Sequence, residues 1–156
     1  MRAVVQRVTS ASVAIDTVIT ASIGRGLLIF LGVRSGDTYA DATWLAQKIA
    51  NLRVFADAED RMNLSLIDIG HAVPHEPTAL VVSQFTLIAS TRKGTRPSFN
   101  DAANAEEAVP LYESFLQNLE ASLGRAVGKG RFGANMQVTL LNDGPVTLVI
   151  DSHLRE

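Results

Sequence analysis

Ser83, Gln84 and Thr86 stand at the end of an apolar run, Leu80-Val81-Val82, with Phe85 among them. Hydroxyls and an amide side chain can position a carbonyl. With neighbouring backbone N–H groups they can also stabilise an oxyanion. None of them is a base at neutral pH, and a nucleophilic Thr86 or Ser83 would need one. The three histidines are His71 and His75, in a loop that also holds Pro74 and Pro77, and His153 near the C-terminus. None sits in a context that promises a base. The sequence has no G-x-S-x-G elbow, no phosphate loop and no dinucleotide fingerprint, and no paired carboxylates stand out in stretches that read as buried. An enzyme with this inventory suits an intrinsically labile bond, such as an activated ester, for which positioning suffices. The plain structural alternative is a strand end whose hydroxyls satisfy neighbouring backbone groups.

A second segment, Asn142-Asp143-Gly144-Pro145-Val146-Thr147, pairs a hairpin-type Asp-Gly with a proline directly after the glycine. The proline removes a backbone donor and brings a cis bond within reach. Arg7 shares a strand face with Ala3 and Val5, so it needs a buried partner if that face is apolar.

Phosphates have two candidate contacts. Arg92, Lys93 and Arg96 lie within five residues around Gly94, and Arg125, Lys129 and Arg131 form a second glycine-rich basic segment. The net charge of -2 gives no global basic field, but a local patch is enough to hold phosphates. The His71-x-x-x-His75 spacing would suit a metal on a helix, yet the prolines forbid a helix there, so neither metal nor cofactor is expected. Three readings stay open on chemistry alone: an ester hydrolase, a non-catalytic RNA-binding domain and a small-ligand sensor.

The elements that must position these groups follow from periodicity. A chain of 156 residues suits one domain over 1–156. The absence of cysteine excludes disulfides, thiolate catalysis and the usual structural zinc sites. No apolar run approaches the roughly 20 residues of a membrane span, and residues 1–7 carry no signal-peptide plan, so the expected location is cytoplasmic. Val/Ile-rich runs at 2–9 and 12–19, separated by a turn at Thr9-Ser10-Ala11, predict a hairpin or meander. Leu27–Val33 reads as a central strand. Thr38 and Asp41 cap a helix carrying Ala42, Leu45, Ala46, Ile49 and Leu52 inward. Short strands are predicted at 53–55 and 62–69. A second helix is predicted over 106–123 with Val109, Tyr112, Phe115, Leu116, Leu119 and Leu123 inward, stopped by Gly124. Residues 136–141 and 146–150 read as two strands joined by the Asn142–Pro145 turn. Together these predict an α/β fold of two packed sheets with a helix layer on one of them.

Ser83-Gln84-Phe85-Thr86-Leu87 and Asn142–Thr147 together resemble the paired signatures of the D-aminoacyl-tRNA deacylases. The resemblance extends to Met1–Val8, Lys48-Ile49 through Arg53, Met62–Ser65, Thr91–Gly94, Arg96–Phe99 and Gly130–Ala134 with Met136. The loop His71–Pro77 looks longer than the family pattern. The resemblance implies a three-layer, pseudo-barrel fold. It also implies hydrolysis of the ester between a D-amino acid and the tRNA 3′ end, and removal of glycine mischarged on alanine tRNA. It implies a homodimer with active sites where the subunits meet. By motif match, Ser83, Gln84, Phe85 and Thr86 form the substrate pocket. Gly144 and Pro145, joined by a cis bond, enter the other subunit's pocket and reject an L side chain by clash. Asn142 belongs to that signature, and Arg7 holds the turn in its orientation. The 2′-hydroxyl of the terminal adenosine then assists hydrolysis, with Thr86 as a nucleophile the competing mechanism. Arg92, Lys93, Arg96, Lys129 and Arg131 are the tRNA-contact candidates.

Overall fold

The computed structural model describes residues 1–72 and 76–155; His75 and with it the His71/His75 pair lie outside them. The chain runs β1 (Arg2–Ile15), β2 (Val18–Ile23), β3 (Gly26–Gly32), α1 (Tyr39–Ala50), β4 (Phe55–Ala56), β5 (Met62–Leu64), α2 (Leu66–Gly70), β6 (Ala79–Ser83), a 3₁₀ turn (Phe85–Ile88), α3 (Ala105–Leu123), β7 (Gly128–Lys129) and β8 (Gln137–Asp151). The strands β2-β1-β3-β6-β7 form one sheet in that order, and β8 lies along the other edge of β1. β4 and β5 form a separate pair.

The sheet curls, because its two faces bury different cores. Leu27, Ile29, Leu31, Ala79 and Val81 face α1 and α3. The intervening Leu28, Leu80 and Val82 face an inner core with Val8, Ala11, Val13 and Ile23. Met136, Val138 and Leu140 pack on that inner core from the opposite side. This is strand alternation with both faces covered, which explains why Leu27–Leu31 reads as a continuous apolar run. The two packed sheets expected from the sequence are thus two parts of one nearly closed, barrel-like sheet, with the helices on its outside.

Several sequence expectations change, the smallest being the short strand expected at 53–55, which is confined to Phe55–Ala56. The first hairpin turns at Asp16-Thr17, not at Thr9–Ala11. Both turn residues have positive φ (50° and 68°), as a two-residue primed turn requires, without the usual glycine. At residues 8–10 the strand β1 instead carries a bulge against β8 and continues. Residues 62–69 are not one strand. β5 stops at Leu64, and Ser65 opens α2 with a reciprocal cap in which Asp68 accepts from Ser65 N–H (2.7 Å) and Oγ (2.6 Å). Residues 136–150 are not a hairpin. Both halves belong to β8 and pair antiparallel with β1.

That last difference sets up the candidate site. From Gln6 to Val8, β1 advances two positions while β8 goes from Thr147 to Asn142. The surplus residues, Asp143 to Pro145, leave the sheet as a loop, and the Gly144–Pro145 bond in it is cis. An odd surplus inverts the side-chain phase. Accordingly Val138 and Leu140 pack on the inner core, whereas Val146, Leu148 and Ile150 pack on the helix-side core.

The helices follow their signals closely. Thr38 and Asp41 form the cap of α1, and Asn104 accepts the Glu107 N–H at the start of α3. Gly124 ends α3 in the left-handed conformation (φ 65°). Val109, expected inward, is exposed, one position off the buried stripe of Ala108, Leu111, Tyr112 and Phe115.

Candidate active site

The strand β6 delivers Ser83 to the surface and stops there. The Gln84 N–H still donates to Leu31 O (2.8 Å), and then the chain tightens into the 3₁₀ turn. Strand alternation therefore ends before Phe85, so Gln84 and Thr86 do not share a strand face. The turn's own ladder begins with Leu87 N–H to Gln84 O (3.2 Å), leaving the Phe85 and Thr86 amides at its N-terminal end. Gly32 lets this turn sit close to β3: a Cβ there would meet Gln84 O at 3.0 Å and Leu87 Cβ at 3.1 Å. At the other end the Arg2 guanidinium donates to Leu87 O (3.0 Å) while paired with Asp151 (2.9 Å).

A cleft of about 290 Å³ opens beside the turn. Ser83, Gln84 and Phe85 form one wall; Phe30 and Val82 come from the inner face of the sheet; Phe132 to Met136 and Val138 close the far side. Gly130 makes room for the Met136 sulfur, which a Cβ would meet. Among the described residues lining this cleft there is no histidine, carboxylate or lysine. Tyr112 packs edge-on against Phe132 and donates to Val81 O (3.2 Å). Burial pushes its phenol well above the ordinary range, so it stays protonated and is no base. The side chains of Phe85 and Thr86 are exposed. Phe30, Asn135 and Val138 were not singled out from the sequence. Phe30 is the one aromatic in the central apolar run, but only the pairing of β3 with β6 puts it beside Val82.

The loop Asp143–Pro145 lies elsewhere. None of its residues lines the cleft of its own chain. Arg7 anchors it. Arg7 Nε is 3.0 Å from the Asp143 carboxylate and donates to Asp143 O (3.2 Å), while Nη1 donates to Val54 O. Asn142 Nδ2 donates to Arg7 O (2.9 Å) and Val146 O (3.2 Å), closing the base of the loop. Gly144 and Pro145 remain exposed.

Arg92, Lys93 and Arg96 are all exposed in the loop after the turn, which is closed by a two-bond bridge between Ser90 and Ser98 (2.8 Å each). Lys129 lies 3.8 Å from Glu113, and Arg131 is exposed near it. Arg125 is engaged in structure, donating to Gly70 O and Glu76 O. One group, Asp37, Asp41 and His153, brings its ligand atoms within 4.8 Å of one another. A cation already serves it: the Met1 amino group is 2.6 Å from Asp37 Oδ1.

No helix is long and apolar enough to cross a membrane among the described residues. The family model described as D-Tyr-tRNA(Tyr) deacylase matches residues 4–151. The chain is 62% identical to the D-aminoacyl-tRNA deacylase of Opitutus terrae over the full length of both, and 60% identical to that of Roseiflexus castenholzii over 97% of this chain and 92% of the relative. A solved structure of the c-Myc DNA unwinding element binding protein is similar at a TM-score of 0.87 and 40% identity, over 97% of this chain and 98% of that one. On this match the chain belongs to the D-aminoacyl-tRNA deacylase family, a family of ester hydrolases.

Proposed function

We propose that the whole chain, residues 1–156, is one domain that hydrolyses the ester of D-aminoacyl-tRNA to free D-amino acid and tRNA in the cytoplasm, and that it also clears glycine mischarged on alanine tRNA. The observation that carries this reading is the division of the two signatures. Ser83, Gln84 and Phe85 wall a cleft, with Thr86 exposed on the adjoining 3₁₀ turn, while Gly144–Pro145 stands exposed on a braced loop away from it. Each signature is half a site. In a homodimer the loop of one copy enters the cleft of the other. The exposed side of β8 beyond the loop suits such a partner: Val149 is 67% exposed.

The chemistry follows from the donors available. Phe85 and Thr86 amides stabilise the oxyanion. The substrate's own 2′-hydroxyl assists attack, since the cleft offers no base for Thr86. Gly144 offers a surface without a side chain, held rigid through Arg7 and Asn142. That surface excludes an L side chain and admits hydrogen or a D side chain, so chirality is read by rejection. Arg92, Lys93, Arg96, Lys129 and Arg131 supply phosphate contacts, and no metal or cofactor is required.

Incubation with D- and L-tyrosyl-tRNA tests the reading. Release of D-tyrosine with L-tyrosyl-tRNA untouched is expected. Hydrolysis of neither, with tRNA still bound, favours a non-catalytic RNA-binding domain.

A further inference from the structure

Phe85 and Phe99 are both exposed, at 56% and 39%, and they touch each other. Their ring centroids are 5.1 Å apart with an interplanar angle of 67°, so one ring's face meets the other's edge. Large aromatics are seldom left in water as a pair without a use. The pair lies at the rim of the cleft, because Phe85 also lines it. On its other side the Ser90–Ser98 bridge ties Phe99 to the loop bearing Arg92, Lys93 and Arg96. Residues 90–100 contain no acid, and none of those three cations has an ion-pair partner among the described residues.

We infer that the Phe85–Phe99 corner is a stacking step for unpaired nucleobases, specifically those that precede the terminal adenosine of the tRNA acceptor strand. The inference rests on the proposed function, which puts the terminal adenosine and its ester in the cleft. The preceding nucleotides then cross the rim, where an aromatic face takes a base and the cations beyond it take the backbone phosphates. Aromatic platforms flanked by Arg and Lys are the general solution for single-stranded nucleic acid. Stacking tolerates any base, and the last unpaired bases are common to all tRNAs. The corner therefore adds affinity without selecting among amino-acid identities. A protein partner is disfavoured by the charge: the patch is apolar and basic, with no acceptor side chain in the loop except hydroxyls and Asn100.

The test uses the full-length protein and an acceptor-stem RNA carrying 2-aminopurine at the nucleotide before the terminal adenosine. Binding to the wild type should quench the fluorophore by stacking. Phe99→Leu should lose most of the quench, and Phe99→Trp should restore it. In kinetics, Phe99→Leu should raise KM for D-aminoacyl-tRNA by about tenfold. Its loss on D-aminoacyl-adenosine, which lacks the preceding nucleotides, should be several-fold smaller. Unchanged quenching in Phe99→Leu, or equal losses on both substrates, overturns the inference and makes Phe99 a support for the turn. A change in subunit assembly with quenching intact overturns it in favour of a protein contact. If the wild type quenches the fluorophore but hydrolyses neither substrate, the proposed function fails while the stacking step stands.

Discussion

A methyl group placed on Gly144 would lie 2.8 Å from Arg7 Nη2 and 2.9 Å from Val146 Cγ2. Neither neighbour can yield cheaply. Arg7 is committed to Val54 O and to both the carboxylate and the carbonyl of Asp143, and Val146 packs on the helix-side core. Gly144 also has φ +121°, a conformation that side-chain-bearing residues rarely adopt.

Gly144→Ala should therefore displace the loop. We expect a loss of stability of about 1–3 kcal/mol by denaturant unfolding. Deacylation of D-aminoacyl-tRNA should fall by about tenfold or more, because small misplacements cost heavily in positioning catalysis. A variant with wild-type rate would remove Gly144 from the reaction.

Arg7→Lys should retain the charge and lose the fork. A lysine cannot hold Val54 O and the Asp143 carboxylate together as the guanidinium does. The expected result is a folded protein with reduced discrimination, read as a higher rate on L-aminoacyl-tRNA relative to the D substrate. Asp143→Asn, which keeps the carbonyl acceptor of the Arg7 bond, should change the ratio less. The pair of variants is compared by initial rates on the two enantiomers.

Thr86→Ala should keep a substantial fraction of the D-aminoacyl-tRNA rate, whereas a 2′-deoxy terminal adenosine should cripple turnover. Single-turnover kinetics on both separates a substrate hydroxyl from an enzymic nucleophile. Near-total loss in Thr86→Ala, with folding and tRNA binding intact, would assign the attack to Thr86.

Acid should unfold the protein partly through its helix caps. Burial opposes ionisation of Asp41, but the Thr38 hydroxyl and N–H outweigh it and hold the carboxyl at about 2 against an ordinary 3.8. A lowered folded-state pKa contributes stability that is complete above the ordinary value and is lost as pH falls from about 4 towards 2. Asp41→Asn should cost about 1 kcal/mol at neutral pH, as the loss of a solvent-screened helix cap does, and flatten the stability profile below pH 4. Urea midpoints at pH 7, 4 and 3 measure this.

Local signals carried far in this chain. The Thr38/Asp41 cap, the Gly124 stop and the run Leu27–Leu31 each specify their element through neighbouring residues alone. The Ser65/Asp68 box was present too, but apolar Leu64, Leu66 and Ile69 competed with it as a strand pattern. What sequence spacing misread were the long strands. Asn142–Pro145 has every mark of a hairpin turn, yet β1 pairs with the chain on both sides of it, and only that distant partner turns a hairpin into an interrupted strand. The site divided in the same way. Ser83–Thr86 was visible as a strand end with misplaced polar groups. Phe30, Asn135 and Val138 join it only through the curl of the sheet. The bracing of the loop by Val54 likewise needs the third dimension.

The pairing of β1 with β8 also governs how the molecule is made. Residues 2–14 find their long antiparallel partner at 137–151. Synthesis proceeds from the N-terminus, so β1 leaves the ribosome well before its partner β8. Until then β1 presents an open edge, and the inner core lacks the wall supplied by Met136, Val138 and Leu140. Closure of the sheet thus waits for the synthesis of β8. A nascent chain halted before β8 is a sticky, half-built sheet, a natural client for chaperones and proteases; once β8 is made, it closes that edge within the same molecule.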